Sequence, residues 1–459
     1  MDSAITASYR AHLTDFPVPE RLLIEARMTP QLNRRIEQLE SLVRQFPDYW
    51  PGWFALGELH VREAPFDGIV VAEADAPLRR AVALNADFVP GWDRLLWVSI
   101  AARDTVLSAR VLRELKRLRY DSTSIQDDGF DVLRFYRYLD HLARTNGVPD
   151  AALADTLARA LGGGFRPTGN GMPDRMQTGI ARFEFHAARI DLAARELRAG
   201  LVRPWFQWHV IASTLAARGA WDSALVAEDR AVQHNPTANA GVFGYRLAVV
   251  GAWLGAVDPS DAASWRDRAT PNVDRMRAED RAELFWVEGL LATIHRDAPA
   301  LARARLALRQ TKVPEAGLMD SSLSAFASEL SGDRTRGVEV LMVLEREPLQ
   351  VSGTHAFLSG VNRLTAARWL AAAGDTATAT RLLIWHEAIG DPRPQTVHAN
   401  VILAPFAYLA RARLLAGQGQ WSASRANYVR FLANYDAAVP AHHGLVDEAR
   451  LALTRTERR

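Results

Sequence analysis

The sequence predicts an all-α fold, an α-solenoid of stacked helical hairpins. Three observations carry this reading: a segment that repeats within the first hundred residues, helical periodicity along most of the remainder, and the near absence of the strict alternation that marks strands.

The repeat is the strongest of the three. Pro51-Gly52-Trp53-Phe54 returns as Pro90-Gly91-Trp92-Asp93, and the lead-ins Phe46-Pro47-Asp48-Tyr49 and Leu84-Asn85-Ala86-Asp87-Phe88 correspond. The offset from Trp53 to Trp92 exceeds a period of about 34 residues by roughly five. The Pro/Gly stretch from Arg62 to Gly68 accounts for the excess.

The clearest single unit runs from Phe206 to Pro236. Trp208, Ile211, Ala212 and Leu215 share one helical face, Gly219-Ala220-Trp221-Asp222 breaks the helix, and Asp222 is expected to cap the next one. The second helix carries Ala224, Ala227 and Ala231, and Pro236 ends the unit. This spacing resembles the tetratricopeptide pattern W-x2-L-G-x2-Y…A-x3-F…P, with Ala212 at the small position where the paired helices come close. Glu228 stands where a large aromatic is usual, which predicts weaker packing or an exposed face. Ala366-Ala367, Leu370, Gly374-Asp375 and Ala379 form a second such hairpin. Tyr408, Ala412, Leu415, Gly419-Gln420-Trp421-Ser422 and Tyr428 form a third, with glycine ending one helix and Asp or Ser opening the next. Helical periodicity also marks Arg34–Gln45, Arg281–His295 and Ala300–Gln310. About a dozen hairpins of this size would fill the chain.

One compositional break, Gly162-Gly163-Gly164-Phe165-Arg166-Pro167-Thr168-Gly169-Asn170-Gly171-Met172-Pro173, predicts a loop or hinge over 162–174. It would separate an N-terminal segment, 1–161, from a C-terminal one, 175–459. A phosphate cradle fits it poorly, because Pro167 and Pro173 have no amide to donate and no lysine follows.

Two regions go beyond the generic repeat. Glu20-Arg21-Leu22-Leu23-Ile24-Glu25-Ala26, Leu39-Glu40-Ser41-Leu42-Val43 and Trp53-Phe54-Ala55-Leu56-Gly57-Glu58 lie at one end. Leu403-Ala404-Pro405, Tyr428-Val429-Arg430-Phe431-Leu432 and Val446-Asp447-Glu448-Ala449-Arg450 lie at the other. They resemble the C-terminal tetratricopeptide regions of bacterial serine/threonine protein kinases and of related adenylate-cyclase and transcriptional-regulator chains. That resemblance implies a sensory or protein-interaction module beside a signalling domain. The signalling domain itself is missing from these 459 residues.

Composition excludes several chemistries. The chain is 48% hydrophobic and 24% charged, within the ordinary globular range, and contains no cysteine, hence no disulfide or thiolate chemistry. Of 55 basic residues only Lys116 and Lys312 are lysine. The pI of 9.0 reflects near balance with 53 acidic residues interleaved throughout, which argues against nucleic acid as partner. No uncharged apolar run reaches the ~18 residues of a membrane span, and no secretory signal opens the chain, so a cytoplasmic location without membrane attachment is expected.

Kinase and P-loop chemistry need a lysine in a defined setting; Lys116 lies in a helical run, Lys312 at a helix end, and neither follows glycine. His295-Arg296-Asp297 imitates a kinase catalytic loop, yet Ala302 replaces its metal-binding asparagine, and a turn between helices is expected there. His386-Glu387, His442-His443 and Asp127-Asp128-Gly129-Phe130-Asp131 all lack the spacing of metal sites. No catalytic residue, cofactor or metal ligand is nominated.

What remains is a binding surface. Stacked hairpins line their concave face with the first helix of each pair, which nominates Phe54, Glu58, Trp97, His209, Arg368 and Arg413. The densest aromatic–arginine cluster adds Arg134, Tyr136 and Arg137, suited to cation–π recognition, although core packing is the commoner role of such a cluster. The leading expectation is a non-enzymatic scaffold or sensor module binding a protein or peptide, such as a signalling kinase or regulator. A groove that closes on a small molecule or nucleotide is the alternative, and a hydrolase or transferase with dispersed groups is a third.

Overall fold

The computed structural model describes residues 12–120, 132–162, 172–200, 204–235, 238–269, 273, 276–345, 353–389 and 394–456. It is 82% helical, and no strand occurs among the described residues. The chain forms two compact units, Met1–Ala160 with Ile384–Pro392, and Leu161–Leu383 with Arg393–Arg459. Residues 163–171 of the expected hinge, and Asp127–Asp131, lie outside the described residues.

In the first unit α1 (Val18–Met28) pairs with α2 (Leu32–Gln45), α3 (Trp50–Arg62) with α4 (Asp75–Leu84), and α5 (Val89–Ala101) with α6 (Thr105–Arg117). α7 (Val132–Arg144) packs on α6, and α8 (Ala151–Gly162) follows. The repeated Pro-Gly-Trp has a physical role at each position. Pro51 and Pro90 sit in the first turn of α3 and α5, where no intrahelical amide bond is lost. Gly52 and Gly91 lie where each helix crosses the one before it; a Cβ there would come within 3.2 Å of Leu42 and 2.9 Å of Val82. The Trp53 indole N–H donates to the Pro47 carbonyl (2.9 Å) and that of Trp92 to the Ala86 carbonyl (2.8 Å). The same two carbonyls also accept from Arg80 and Arg117 of the following second helices, at 3.2 Å each. One peptide oxygen therefore joins three successive pieces of chain.

The turn between helices is equally regular. Ten times among the described residues an amide returns to the carbonyl five residues earlier, for instance Asp104 to Ser99, Ala220 to Leu215, Asp297 to Ala292 and Asp375 to Leu370. The residue just before that amide is left-handed: Gly68, Gly219, Gly255, Gly332, Gly374 and Gly419, but also Arg103, Asn146, Glu184 and Arg296. Arg296 identifies the kinase-like tripeptide as one of these turns, in which Asp297 caps α17 (Ala298–Gln310) through the Ala300 amide at 2.9 Å. In seven of these turns the helix cap is the residue directly after the left-handed one. Asp104, Asp297, Asp333 and Asp375 hold that place and accept a helix amide. Asp222 does not cap as expected. Ala220 occupies the cap, Trp221 starts the helix, and Asp222 falls in its first turn, where it favours the helix dipole. Ser422 is displaced likewise by Gln420.

The second unit begins with α9 (Met172–Arg182) and α10 (His186–Ala199), then α11 (Pro204–Ala217) and α12 (Trp221–His234). α13 (Ala238–Trp253) packs with the short α14 (Pro259–Ser264) and α15 (Arg266–Ala269). The hairpins α16 (Ala278–Ile294)/α17, α18 (Pro314–Leu330)/α19 (Arg334–Leu344), α20 (Gly353–Ala372)/α21 (Thr376–Leu382) and α22 (Pro394–Gly417)/α23 (Trp421–Asn434) follow, and α24 (His443–Thr456) ends the unit. First helices pack on first helices: α13 on α16, α16 on α18, α18 on α20, α20 on α22.

This array returns on itself. α22 packs against α11 and α9, from the opposite end of the unit. The loop after α23 runs along the α11–α12 turn, with the Ala437 amide on the Arg218 carbonyl (2.8 Å) and the Val439 amide on the Gly219 carbonyl (3.0 Å). The Trp221 indole N–H donates to the Tyr435 hydroxyl at 3.1 Å, and Arg218 clasps Asp436 at 2.7 and 2.6 Å. Neighbours on several sides explain why α22 is apolar almost all round. By length and composition its stretch His398–Gly417 could cross a membrane, but 67% of that stretch is buried in the protein.

Ala212, Ala367 and Ala412 are all buried, and the Ser424 hydroxyl of α23 donates to the Ala412 carbonyl at 2.8 Å, marking a close approach of the pair. Ala412→Leu should therefore overpack this hairpin by about 1–3 kcal/mol in denaturant unfolding. The amides of Ala437 and Val439, although outside any helix, should exchange as slowly as helical amides in hydrogen-exchange measurements. Fast exchange at both would show that the array is open.

Candidate functional site

Two surfaces arise from first helices, one in each unit. In the first unit, α3 brings Phe54 edge-on to Phe88 with ring centres 4.8 Å apart, and Glu58 onto Arg94 of α5. Arg94 also pairs with Asp93 at 2.8 Å and lies over the Trp97 ring, 4.9 Å from its centre. The Trp97 indole N–H reaches the Tyr136 hydroxyl of α7 (3.4 Å), and Tyr136 donates to Asp93. Tyr120 adds a second hydroxyl on Asp93 at 3.3 Å and stacks on Tyr136. Burial works against charge on Arg94, yet Asp93 and Glu58 beside it hold it above its ordinary value. Burial also pushes Asp93 up, against the pull of Arg94 and the two tyrosines.

The row thus contains four of the nominated residues, Phe54, Glu58, Trp97 and Tyr136, on three successive first helices. Phe54, Glu58 and Trp97 are half-buried, while Tyr136 is fully covered. Arg134 is half-buried beside it, and Arg137 is exposed to solvent.

In the second unit, His209 stacks on Phe243 of α13 (5.2 Å) and lies 4.8 Å from the His398 ring of α22. Its Nδ1 meets Glu228 at 2.9 Å. Glu228 is 1% exposed, so the carboxylate at the usual aromatic position neither loosens the packing nor faces solvent: it holds His209. Arg246 of α13 is sandwiched between Phe243 and Phe357 of α20, 4.8 and 4.3 Å from the ring centres, and pairs with Glu283 of α16.

Arg189 of α10 completes the group. It donates to Thr214 at 3.0 Å, to Ser213 at 3.5 Å and to His398 Nδ1 at 3.2 Å. The Ser213 hydroxyl reaches that same nitrogen at 2.8 Å. Arg189 can only donate, so Nδ1 accepts and the His398 ring is neutral with its proton on Nε2. Burial, with Arg189, His209 and Arg246 close by, holds His398 well below the usual imidazole range. Burial with no carboxylate beside it pushes Arg189 down to about 9.

The other two nominated residues are not gathered here. Arg368 is exposed, 3.9 Å from Glu329 of α18, and Arg413 spans to Glu448 of α24 at 2.7 and 2.6 Å. Of the partners just described, Arg189, Arg246, Glu283 and His398 were not singled out in the sequence; the misplaced carboxylate Glu228 signals only its own partner, His209. Among the described residues, no group of three His, Asp or Glu is placed to hold a metal.

No known family pattern matches the chain, and no curated protein matches it. Solved structures do. Yeast Tom70 is 11% identical, with 98% of this chain and 97% of that one covered and a TM-score of 0.34. The TPR domain of P58(IPK) is 12% identical over 98% and 100%, at 0.23. The Cut9–Hcn1 hetero-tetramer of APC/C is 12% identical over 98% of each chain, at 0.31. At scores this low the fold assignment rests on the hairpins themselves.

Buried imidazoles give a test by pH. His186, in the first turn of α10, is held down to about 4 by burial. Unfolded, it takes up a proton near its ordinary value of about 6.5. Its contribution is therefore complete above that pH and is lost as pH falls from about 6.5 to about 4. The amount is on the order of 3 kcal/mol, at about 1.36 kcal/mol per pH unit. His186→Leu should flatten this part of the acid limb when urea midpoints are compared across pH. An unchanged slope would place His186 in water.

Proposed function

We propose that this chain is a non-catalytic scaffold or sensor module that holds a protein or peptide partner in bacterial signalling. The observation that carries this reading is the row Phe54–Glu58–Trp97 on adjoining first helices of the first unit. Its aromatic rings are half-exposed, and the Glu58–Arg94 pair and the Arg94–Trp97 contact already fix them. A partner that docks there gains aromatic contact area while ordering few further side chains, which keeps the entropic cost of association low. Acidic and basic groups alternate along the row, which suits a partner of mixed charge. The resemblance of both chain ends to repeat regions attached to bacterial kinases supports a cytoplasmic kinase or transcriptional regulator as that partner.

The test is quantitative capture by the immobilised full chain, with proteins and small molecules from its source organism identified together. A specific protein should be enriched by the wild-type chain and reduced about tenfold or more by Phe54→Ala combined with Trp97→Ala, a loss of roughly 1.4 kcal/mol. Circular dichroism must show the variant still helical. Enrichment that survives the double substitution removes this surface from the account. Enrichment of small molecules alone removes the scaffold reading.

A further inference from the structure

Buried charge in the second unit is unevenly matched. Arg246 has Glu283, but among the described residues Arg189 meets only two hydroxyls and an imidazole. Arg189 is 1% exposed, and its guanidinium keeps its charge at neutral pH. A cation taken out of water without an anion is unfavourable. Neutral acceptors offset only part of that. Among the described residues, the Nε of Arg189 and the Nε of Arg246 are both buried and without an acceptor.

The residues around Arg189 have the composition of a ligand-binding site. Arg189, Ser213, His398 and Arg246 form a buried polar floor. Trp205, Phe206, His209 and Phe243 are half-buried rings around it, coupled by the Trp205–Phe206, Phe206–His398 and His209–Phe243 contacts. A few polar groups that fix orientation, under a mainly aromatic wall, are what small-molecule sites present. The floor lacks one negative charge. Glu228 and Glu283 would repel a more highly charged group such as a phosphate dianion, and the aromatic wall would accept an apolar body.

We propose that this inner face of the second unit binds a small monocarboxylate with an aromatic or alkyl body, its carboxylate matched to Arg189 and its body against Phe206 and Phe243. The site is independent of the surface on the first unit. Occupied, it would tie α10, α11, α13 and α22 together through one ligand, so that binding reports on the meeting of the array's two ends.

The experiment uses the full chain with sodium benzoate and sodium octanoate as probes, and sodium phosphate and sodium chloride at matched ionic strength as comparisons. Benzoate or octanoate should raise the melting temperature in proportion to the logarithm of its concentration, while phosphate and chloride should not. Arg189→Met should abolish the shift yet melt in chloride no lower than the wild-type chain, because a similar-sized apolar side chain replaces an unmatched ion. Should Arg189→Met not fold, Phe206→Ala on the half-exposed rim gives the second reading. It should stay folded and weaken benzoate binding about tenfold by isothermal titration. No shift with either carboxylate overturns the proposal. So does an equal shift with phosphate, or a shift that survives in Arg189→Met.

Discussion

A helix that ends on a left-handed residue can pass the chain to an antiparallel neighbour within two residues, because the sixth amide returns to the first carbonyl of the last turn. Every hairpin that carries this turn depends on it, and it fixes where the next helix starts. Glycine meets the conformation without strain at Gly219 and Gly374, whereas Arg103 and Arg296 meet it with a side chain. The cost at those two is offset locally, since each is followed by an aspartate that caps the next helix. The short turn also brings the paired helices close, which is why Ala412 lies under Ser424.

Stacking hairpins alone would leave a first and a last face uncovered. In the second unit those two faces meet, and the contact is polar as well as apolar. Tyr408 donates to Glu184, Arg218 pairs with Asp436, and Arg189 and Ser213 share His398. Nearby, Gln177 and Gln207 both donate to the buried Glu196 carboxylate, at 3.0 and 2.9 Å. The bonds of Tyr408 and His398 exist only when α22 reaches the start of the unit, so the depressed basicity of His398 is tied to closure of the array.

How much of this is legible in the sequence depends on range. Helices and turns follow from residues within five positions of each other, and Gly-Asp pairs or a Trp at fixed spacing report them directly. The Pro-Gly-Trp repeat is visible, but not its acceptors. A backbone carbonyl leaves no trace in the sequence, and Arg80 or Arg117 is one arginine among many. The meeting of α22 with α11 joins residues such as Ser213 and His398, 185 positions apart, with nothing in either neighbourhood to announce the other. Glu228 is the exception. As a carboxylate at a position that packs an aromatic in related hairpins, it signals a hydrogen-bonding partner across from it, and His209 is that group.

Polar contacts at the closure answer a problem that repetition creates. The apolar faces of successive first helices are alike, so burial alone would let α22 settle against more than one place on the array with similar gain. Hydrogen bonds do not permit this. A shift of α22 by one turn would separate His398 from Ser213 and leave a buried ring nitrogen and a guanidinium unmatched, at about 1–3 kcal/mol for each neutral group and more for the ion. An all-apolar contact would be at least as stable in the right register, and worse at excluding the wrong one. The groups that define the register must be directional, polar and on the inner side of the first helices. The geometry that closes this unit is therefore also the geometry that lines its interior with arginine, histidine and aromatic rings.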